Sequence, residues 1–345
     1  GNTNEKIGLP IELSGDGETL AIAAPEEGNY GARYGIVRVY DLNSNDTWSL
    51  SKEWKGSQAG EKAGYSISLS PDGDDIAIGS PFFDDPNSDG RTQIFDRSHS
   101  QDWESHGNTI KGSGGIAGFK MGDTSGRAVS LNKWGGVLAV GEDYAGSSRQ
   151  GQVRVFALTH KNDPQEYWRQ LGQPIAGESS NDYFGRQVHL SYGTSSTADG
   201  VILAVGADDY VKLYKGDTSY STEWQKIGKT FSASSGYDID LSDDGKVFAI
   251  SSPSSNTVKL YKRFANTWEQ LGDSIINSDI GGSFGKSISL SKDGYHIIIG
   301  TDGSNAAAVY AYSGNQWSQL GDTLRGLNGD YFGKSVSISH DGETI

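Results

Sequence analysis

The sequence predicts an all-β propeller, built from four-stranded antiparallel blades set around a common axis. Three observations carry that prediction: a recurring tryptophan phrase, a glycine-opened alternating stretch in step with it, and Asp-Gly turns between them. Composition agrees. The 345 residues include 48 glycines and a single methionine, which disfavours long helices. Aromatics at 10% and recurrent Val and Ile are too many for a disordered chain. The triplet glycine period of a collagen helix is missing.

Trp48, Trp103, Trp168, Trp224, Trp268 and Trp317 each head the same phrase. Gly107, Gly172, Gly228, Gly272 and Gly321 stand four residues after the last five, and Lys52 after the first. Units open near Gly8, Gly64, Gly126, Gly185, Gly236, Gly285 and Gly333, spaced 48 to 62 residues apart. After each glycine, alternation such as Ile67/Leu69 or Ile288/Leu290 marks a half-buried first strand. Asp16-Gly17, Asp72-Gly73, Asp199-Gly200, Asp244-Gly245, Asp293-Gly294 and Asp341-Gly342 then turn the chain, glycine taking positive φ without a Cβ clash. The second strand is almost continuously apolar, as at Leu20–Ala24 or Leu203–Ala207, which implies burial on both faces. The third alternates again from Ile36, Val153, Val211 and Val258, and the Trp phrase makes the fourth.

A lone four-stranded sheet cannot cover both of its faces, whereas a radial array packs each face on a neighbour. Each registered Trp is therefore expected between blades. Six units are complete, and Gly333–Ile345 begins a seventh. The expectation is one domain over 1–345 with seven blades, the last incomplete; the alternative is six blades plus a C-terminal hairpin.

Charge narrows the partners. Lys plus Arg is 29 against 44 Asp plus Glu, a net charge of −15, which repels nucleic-acid phosphates and anionic lipid. No nucleic-acid partner is expected. With no cysteine, neither disulfides nor thiolate metal sites hold the fold. No run of 18 apolar residues exists, so no membrane insertion is expected. Gly1–Leu9 lacks a charged-then-apolar signal peptide, as a processed secreted chain also would.

Phe184-Gly185, Phe284-Gly285 and Phe332-Gly333 open units, and Ala24-Pro25, Gly79-Ser80-Pro81 and Ser252-Pro253 follow second strands. This combination resembles the FG-GAP repeats of integrin α-subunit propellers and of many extracellular bacterial and algal proteins, over essentially the whole chain. The resemblance implies a propeller, an extracellular or cell-surface setting, and a binding or adhesion role. One departure is plain. The loop that often carries a calcium cage in that family is here a tight Ser-x-Asp-Gly turn, too short for the ion's 6–8 oxygen ligands, and Trp134 replaces its Asp in the third copy.

Calcium, the one candidate ion, is placed instead at Asp85, Asn87 and Asp89, a D-x-N-x-D-G string of alternating oxygen side chains. Pro86 and the ordinary loop chemistry of Asp and Asn argue for a plain loop. The loops between second and third strands are long in the first three units (Pro25–Tyr34, Pro81–Asp89, Glu142–Gln150). They place Tyr30, Tyr34, Phe82, Phe83 and Tyr144 on a raised side of one face, with Trp134 on the opposite face, as aromatic contacts for a protein or glycan. Asn45-Asp46-Thr47 is the single N-x-[ST] glycosylation sequon.

Catalytic signatures are sparse. The six histidines fall in different units without metal-ligand spacing, and His189 reads as a channel-lining residue. Gly285-Lys286-Ser287 and Gly333-Lys334-Ser335 imitate a phosphate loop, but the first required glycine is absent and strands follow. Asp238, Asp240, Asp208 and Asp209 are carboxylates that an axial arrangement would bring together. The expectation is therefore a binding or adhesion module, not an enzyme, docking a protein, matrix component or glycan within a larger assembly. The alternatives are a propeller enzyme acting on polysaccharide, marked by axial carboxylates and histidines within hydrogen-bond reach, and a structural subunit completed by strand exchange.

Overall fold

The computed structural model describes residues 7–345 apart from 29–31, 86–87, 99–101, 114–122, 133–135, 160–166, 192–199, 220–221, 234–236, 278–279, 281, 328 and 330. The chain builds six four-stranded antiparallel sheets, each a meander whose strands pair in sequence order. Their hub-side first strands are Ile11–Leu13, Ser66–Leu69, Ala128–Leu131, Gln187–Leu190, Ile239–Leu241 and Ser287–Leu290. Two of the second strands, Val137–Glu142 and Val201–Gly206, are buried along their whole length, as continuous apolar runs require. Third and fourth strands follow, as in Tyr210–Gly216 and Gln225–Ser232 of blade four. A short extra strand at Ile110–Lys111, Ile175–Ala176 or Ile275–Ile276 pairs with the third strand of blades two, three and five.

The turn after each first strand explains its Ser-x-Asp-Gly sequence. In blade one the Ser14 hydroxyl donates to Asp16 and accepts from the Thr19 amide at 2.9 Å, while Asp16 also accepts from the Glu18 amide at 2.9 Å. The same bonds recur around Ser70, Ser242, Ser291 and Ser339, so these aspartates are engaged in closing turns.

Apolar faces meet between consecutive blades. Ala21, Ala23, Val37 and Val39 of blade one pack on Ile67, Leu69, Ile76 and Ile78 of blade two. Farther round, Val258 and Leu260 of blade five meet Phe284, Ile297 and Ile299 of blade six. The Trp phrase serves this packing. Trp168 and Trp317 donate from Nε1 to the carbonyls of His106 and Leu271 on the preceding blade, both at 2.9 Å. At Gly107, Gly228 and Gly272 the glycine four residues after the Trp leaves room for the next blade's indole: a Cβ on Gly228 would stand 2.7 Å from Trp268, whereas one on Gly172 would meet the Thr222 carbonyl. Where Lys52 replaces that glycine, Trp103 instead donates to the Ser51 hydroxyl at 3.3 Å. Trp48 departs from the expectation. It is 39% exposed, against 4% for Trp168, since among the described residues no preceding blade packs against it.

Six blades are complete, the count of the alternative reading. Residues 333–345 add no strand but are not detached. Ser335 and Ser337 accept from the amides of Ile11 and Leu13 at 3.1 and 3.0 Å, and the Ile338 amide donates to Ser289 at 3.3 Å. This segment bridges the first strands of blades six and one and closes the hub. The expected loop Pro81–Asp89 is instead largely a hairpin, its strands Asp75–Asp85 and Ser88–Asp96 pairing Asp84 with Asp89 and Asp85 with Ser88.

Candidate active site in the hub

The first strands run side by side around the axis, so residues at equal distance from the opening glycine form layers. Four residues on, the layer reads Glu12, Ser68, Ser130, His189, Asp240, Ser289 and Ser337. It is a hydrogen-bonded belt. Ser68 accepts from the Leu131 amide at 3.0 Å, Ser130 from Leu190 at 2.9 Å, and Ser337 from Leu13 at 3.0 Å. A serine hydroxyl suffices for this task, yet three blades carry ionisable groups. Glu12 accepts the Leu69 amide at 3.4 Å, and Asp240 accepts the Leu290 amide at 2.7 Å. His189 Nε2 lies 2.9 Å from Asp240 Oδ1, which also accepts the Leu241 amide at 2.7 Å. Asp238, two residues earlier in its strand, accepts from the amides of Ile239 and Ile288, both at 3.0 Å.

These groups line a cavity of about 240 Å³, together with Ser289, Ser337 and a second histidine–carboxylate pair, His340 Nδ1 to Asp243 Oδ2 at 3.3 Å. Their charges are coupled. Burial pushes Glu12 up to about 7, with His189 pulling it back only in part. Burial likewise raises Asp238 to about 6. For His189 burial opposes the charged form, but Asp240, then Glu12 and Asp238, outweigh it and hold the imidazole up to about 9. At neutral pH the cavity thus holds an imidazolium paired with Asp240 beside a carboxyl poised to exchange a proton. His189 Nδ1 is buried with no hydrogen-bond partner among the described residues.

Of the expected residues, the structure brings Asp238, Asp240 and His189 together. Asp208 and Asp209 lie outside this cavity, in the turn after the second strand of blade four. Glu12 was not anticipated. Its signal was present, because the first strands share one register and only Glu12, His189 and Asp240 break a run of serines at one position.

Asn87 of the calcium string lies outside the described residues; Asp85 and Asp89 sit on the two strands of the hairpin. Tyr30 and Trp134 also lie outside them. The remaining aromatics are half-buried against their own surroundings. Phe82 meets Tyr65 edge-on at 5.6 Å, Arg91 lies 3.9 Å from the Phe83 ring centre, Tyr144 meets Tyr183 at 5.3 Å, and Lys55 lies over Tyr34 at 5.2 Å. Among the described residues Asp75, Asp96 and His106 also group within metal-ligand reach, but His106 Nδ1 already pairs with Asp75 at 2.8 Å.

No family model and no curated protein matches the chain. Solved structures do. A candidate 6-phosphogluconolactonase from Bacteroides uniformis is 12% identical with a TM-score of 0.63, covering 91% of this chain and 84% of its own. The periplasmic gluconolactonase of Pseudomonas aeruginosa is 12% identical with a TM-score of 0.62 and the same coverages, 91% and 84%. Hydrazine synthase of Kuenenia stuttgartiensis is 14% identical with a TM-score of 0.57, covering 99% of this chain and 93% of its own. At such identities the likeness establishes the propeller fold.

The expectation of a non-enzymatic adhesion module is corrected. Several similar propellers carry enzyme names, and the hub joins a histidine and a carboxylate at 2.9 Å, the feature that was to mark an enzyme. The sequence misled because the groups sit in separate repeats, more than 170 residues apart in the case of Glu12 and His189.

Proposed function

We propose that the chain is a hydrolase whose hub cavity opens a small cyclic ester of sugar type, an aldonolactone. The observation that carries this reading is the His189–Asp240 pair facing Glu12 and Asp238 in one cavity. Its volume, about 240 Å³, is below the usual 300–1,000 Å³ of a small-molecule site, which suits a small substrate. The gluconolactonase names of two similar propellers support the substrate class.

The chemistry follows from the charges. Glu12, near 7, is part ionised at neutral pH, as a general base should be. It takes a proton from water as the water oxygen adds to the ester carbonyl. The oxyanion that forms is met by the positive charge of His189, fixed by Asp240. Collapse breaks the ring C–O bond, and Glu12 returns its proton to the departing alkoxide, leaving a hydroxy acid.

The test is hydrolysis of δ-gluconolactone followed by proton release and compared with the spontaneous rate. Wild-type protein should accelerate it with an apparent pKa near 7, and Glu12→Gln should lose about 10²–10⁴-fold. No acceleration over water across a panel of aldonolactones would sink the reading. We also read the repeat as FG-GAP-like and the setting as extracellular; the Phe-Gly openings support the first, and a periplasmic relative in fold is compatible with the second.

A further inference from the structure

We propose that the opposite, loop-side mouth of the hub is a separate binding site for the oxyanion group of a small ligand, a carboxylate or a phosphate. In blades two to six the residue just after the opening glycine sits at that mouth, and the repeat fills the position with Tyr65, Arg127, Arg186, Tyr237 and Lys286 in turn. All five, with Gln187 and Asp208, line a pocket of about 410 Å³. Three cations thus face one lining carboxylate, on a protein whose net charge is −15. A local reversal of sign of this kind concentrates anions.

The cations are held but not fully used. Arg186 donates from one terminal nitrogen to Asp208 at 2.6 Å. Its Nε lies 3.6 Å from Asp143 Oδ2, too far for a hydrogen bond, and is buried without a partner among the described residues. Arg127 donates to the Tyr65 hydroxyl and lies 3.4 Å from the same Asp143 oxygen. Burial raises the Asp143 carboxyl despite both arginines. Lys286 makes no ion pair among the described residues. Guanidinium groups fixed by packing, beside an ammonium without an ion pair among the described residues, suit the planar or tetrahedral oxygens of a carboxylate or phosphate. Gln187 links the two sites, donating at 3.0 Å to Asp238 of the hub cavity.

Calorimetric titration with inorganic phosphate and, separately, with gluconate tests the site. Saturable binding of either is expected, weakened about tenfold or more by Arg186→Gln and also weakened by Lys286→Gln. Phosphate alone would identify a phosphorylated ligand; gluconate would identify a sugar-acid carboxylate. Binding of neither, or binding untouched by both substitutions in proteins with native circular dichroism, overturns the proposal. Should Arg186→Gln fail to fold, Lys286→Gln decides, since its side chain supports no ion pair. The titration needs no turnover, so its failure and a failure of hub hydrolysis are read separately.

Discussion

His189 shows how one side chain sets the charge of the hub. A serine at its position would complete the belt, as Ser130 does one blade earlier. The imidazole instead donates to Asp240, which must then accept the Leu241 amide itself. The pKa shifts of the hub share one sign. Glu12 rises from 4.5 to about 7, Asp238 from 3.8 to about 6, and His189 from 6.5 to about 9. For each, the folded state holds its proton longer than the unfolded chain. The stabilisation is complete below the unfolded value and is lost as pH rises through the folded one. Urea midpoints should therefore decline from about pH 4 to 9, with the stretch above about 7 due chiefly to His189. In His189→Gln that upper stretch should flatten; a midpoint that rises between pH 6.5 and 9 in the wild type would contradict the charged pair. The residues of this site were visible in the sequence, but their convergence was not. Asp238 and Asp240 announce a shared face by their spacing of two, whereas Glu12 meets them only through ring closure.

Between strands and blades, the tryptophan phrase was legible and its reason was not. The Trp and the glycine four residues later recur together, yet Gly107, Gly228 and Gly272 make room for the indole of the following blade rather than their own. The blade-to-blade contact predicts unequal costs for one substitution. Trp168→Ala, at a site 4% exposed and hydrogen-bonded across blades, should cost about 3–5 kcal/mol. Trp48→Ala, at a site 39% exposed, should cost about 1 kcal/mol or less. The glycines supply a control. Gly228 and Gly321 have nearly equal φ, +68° and +70°, but an added Cβ meets Trp268 at the first and nothing within 4 Å at the second. Chemical denaturation of Gly228→Ala and Gly321→Ala should show the larger loss at Gly228, and equal losses would mean that backbone strain alone fixes both glycines.

At the scale of the ring, the hub and the rim close differently. The belt reaches round from blade six to blade one through Ser335 and Ser337, but the described residues 333–345 form no outer strands there. Corresponding positions make the consequence measurable. In blade four, Leu213 pairs with Ile227 and Val211 with Phe231, and blade five covers both pairs, leaving Ile227 and Phe231 each 4% exposed. In blade six, Val309 pairs with Leu320 and Ala307 with Leu324, in the same bulged register, yet Leu320 is 54% and Leu324 37% exposed. The sequence pattern is the same in both blades, so burial at the end of the array could not be read from it; only the seating of residues 333–345 against blade one decides it. Burial, not side-chain type, then sets the cost of a charge. Ile227→Asp should unfold the protein or cost several kcal/mol, because a carboxylate is forced into an apolar interface. Leu320→Asp should leave the thermal midpoint nearly unchanged, because that face already meets water. Comparable losses at the two positions would mean that the face of blade six is covered in solution and that the ring is more complete than six blades and a hub segment.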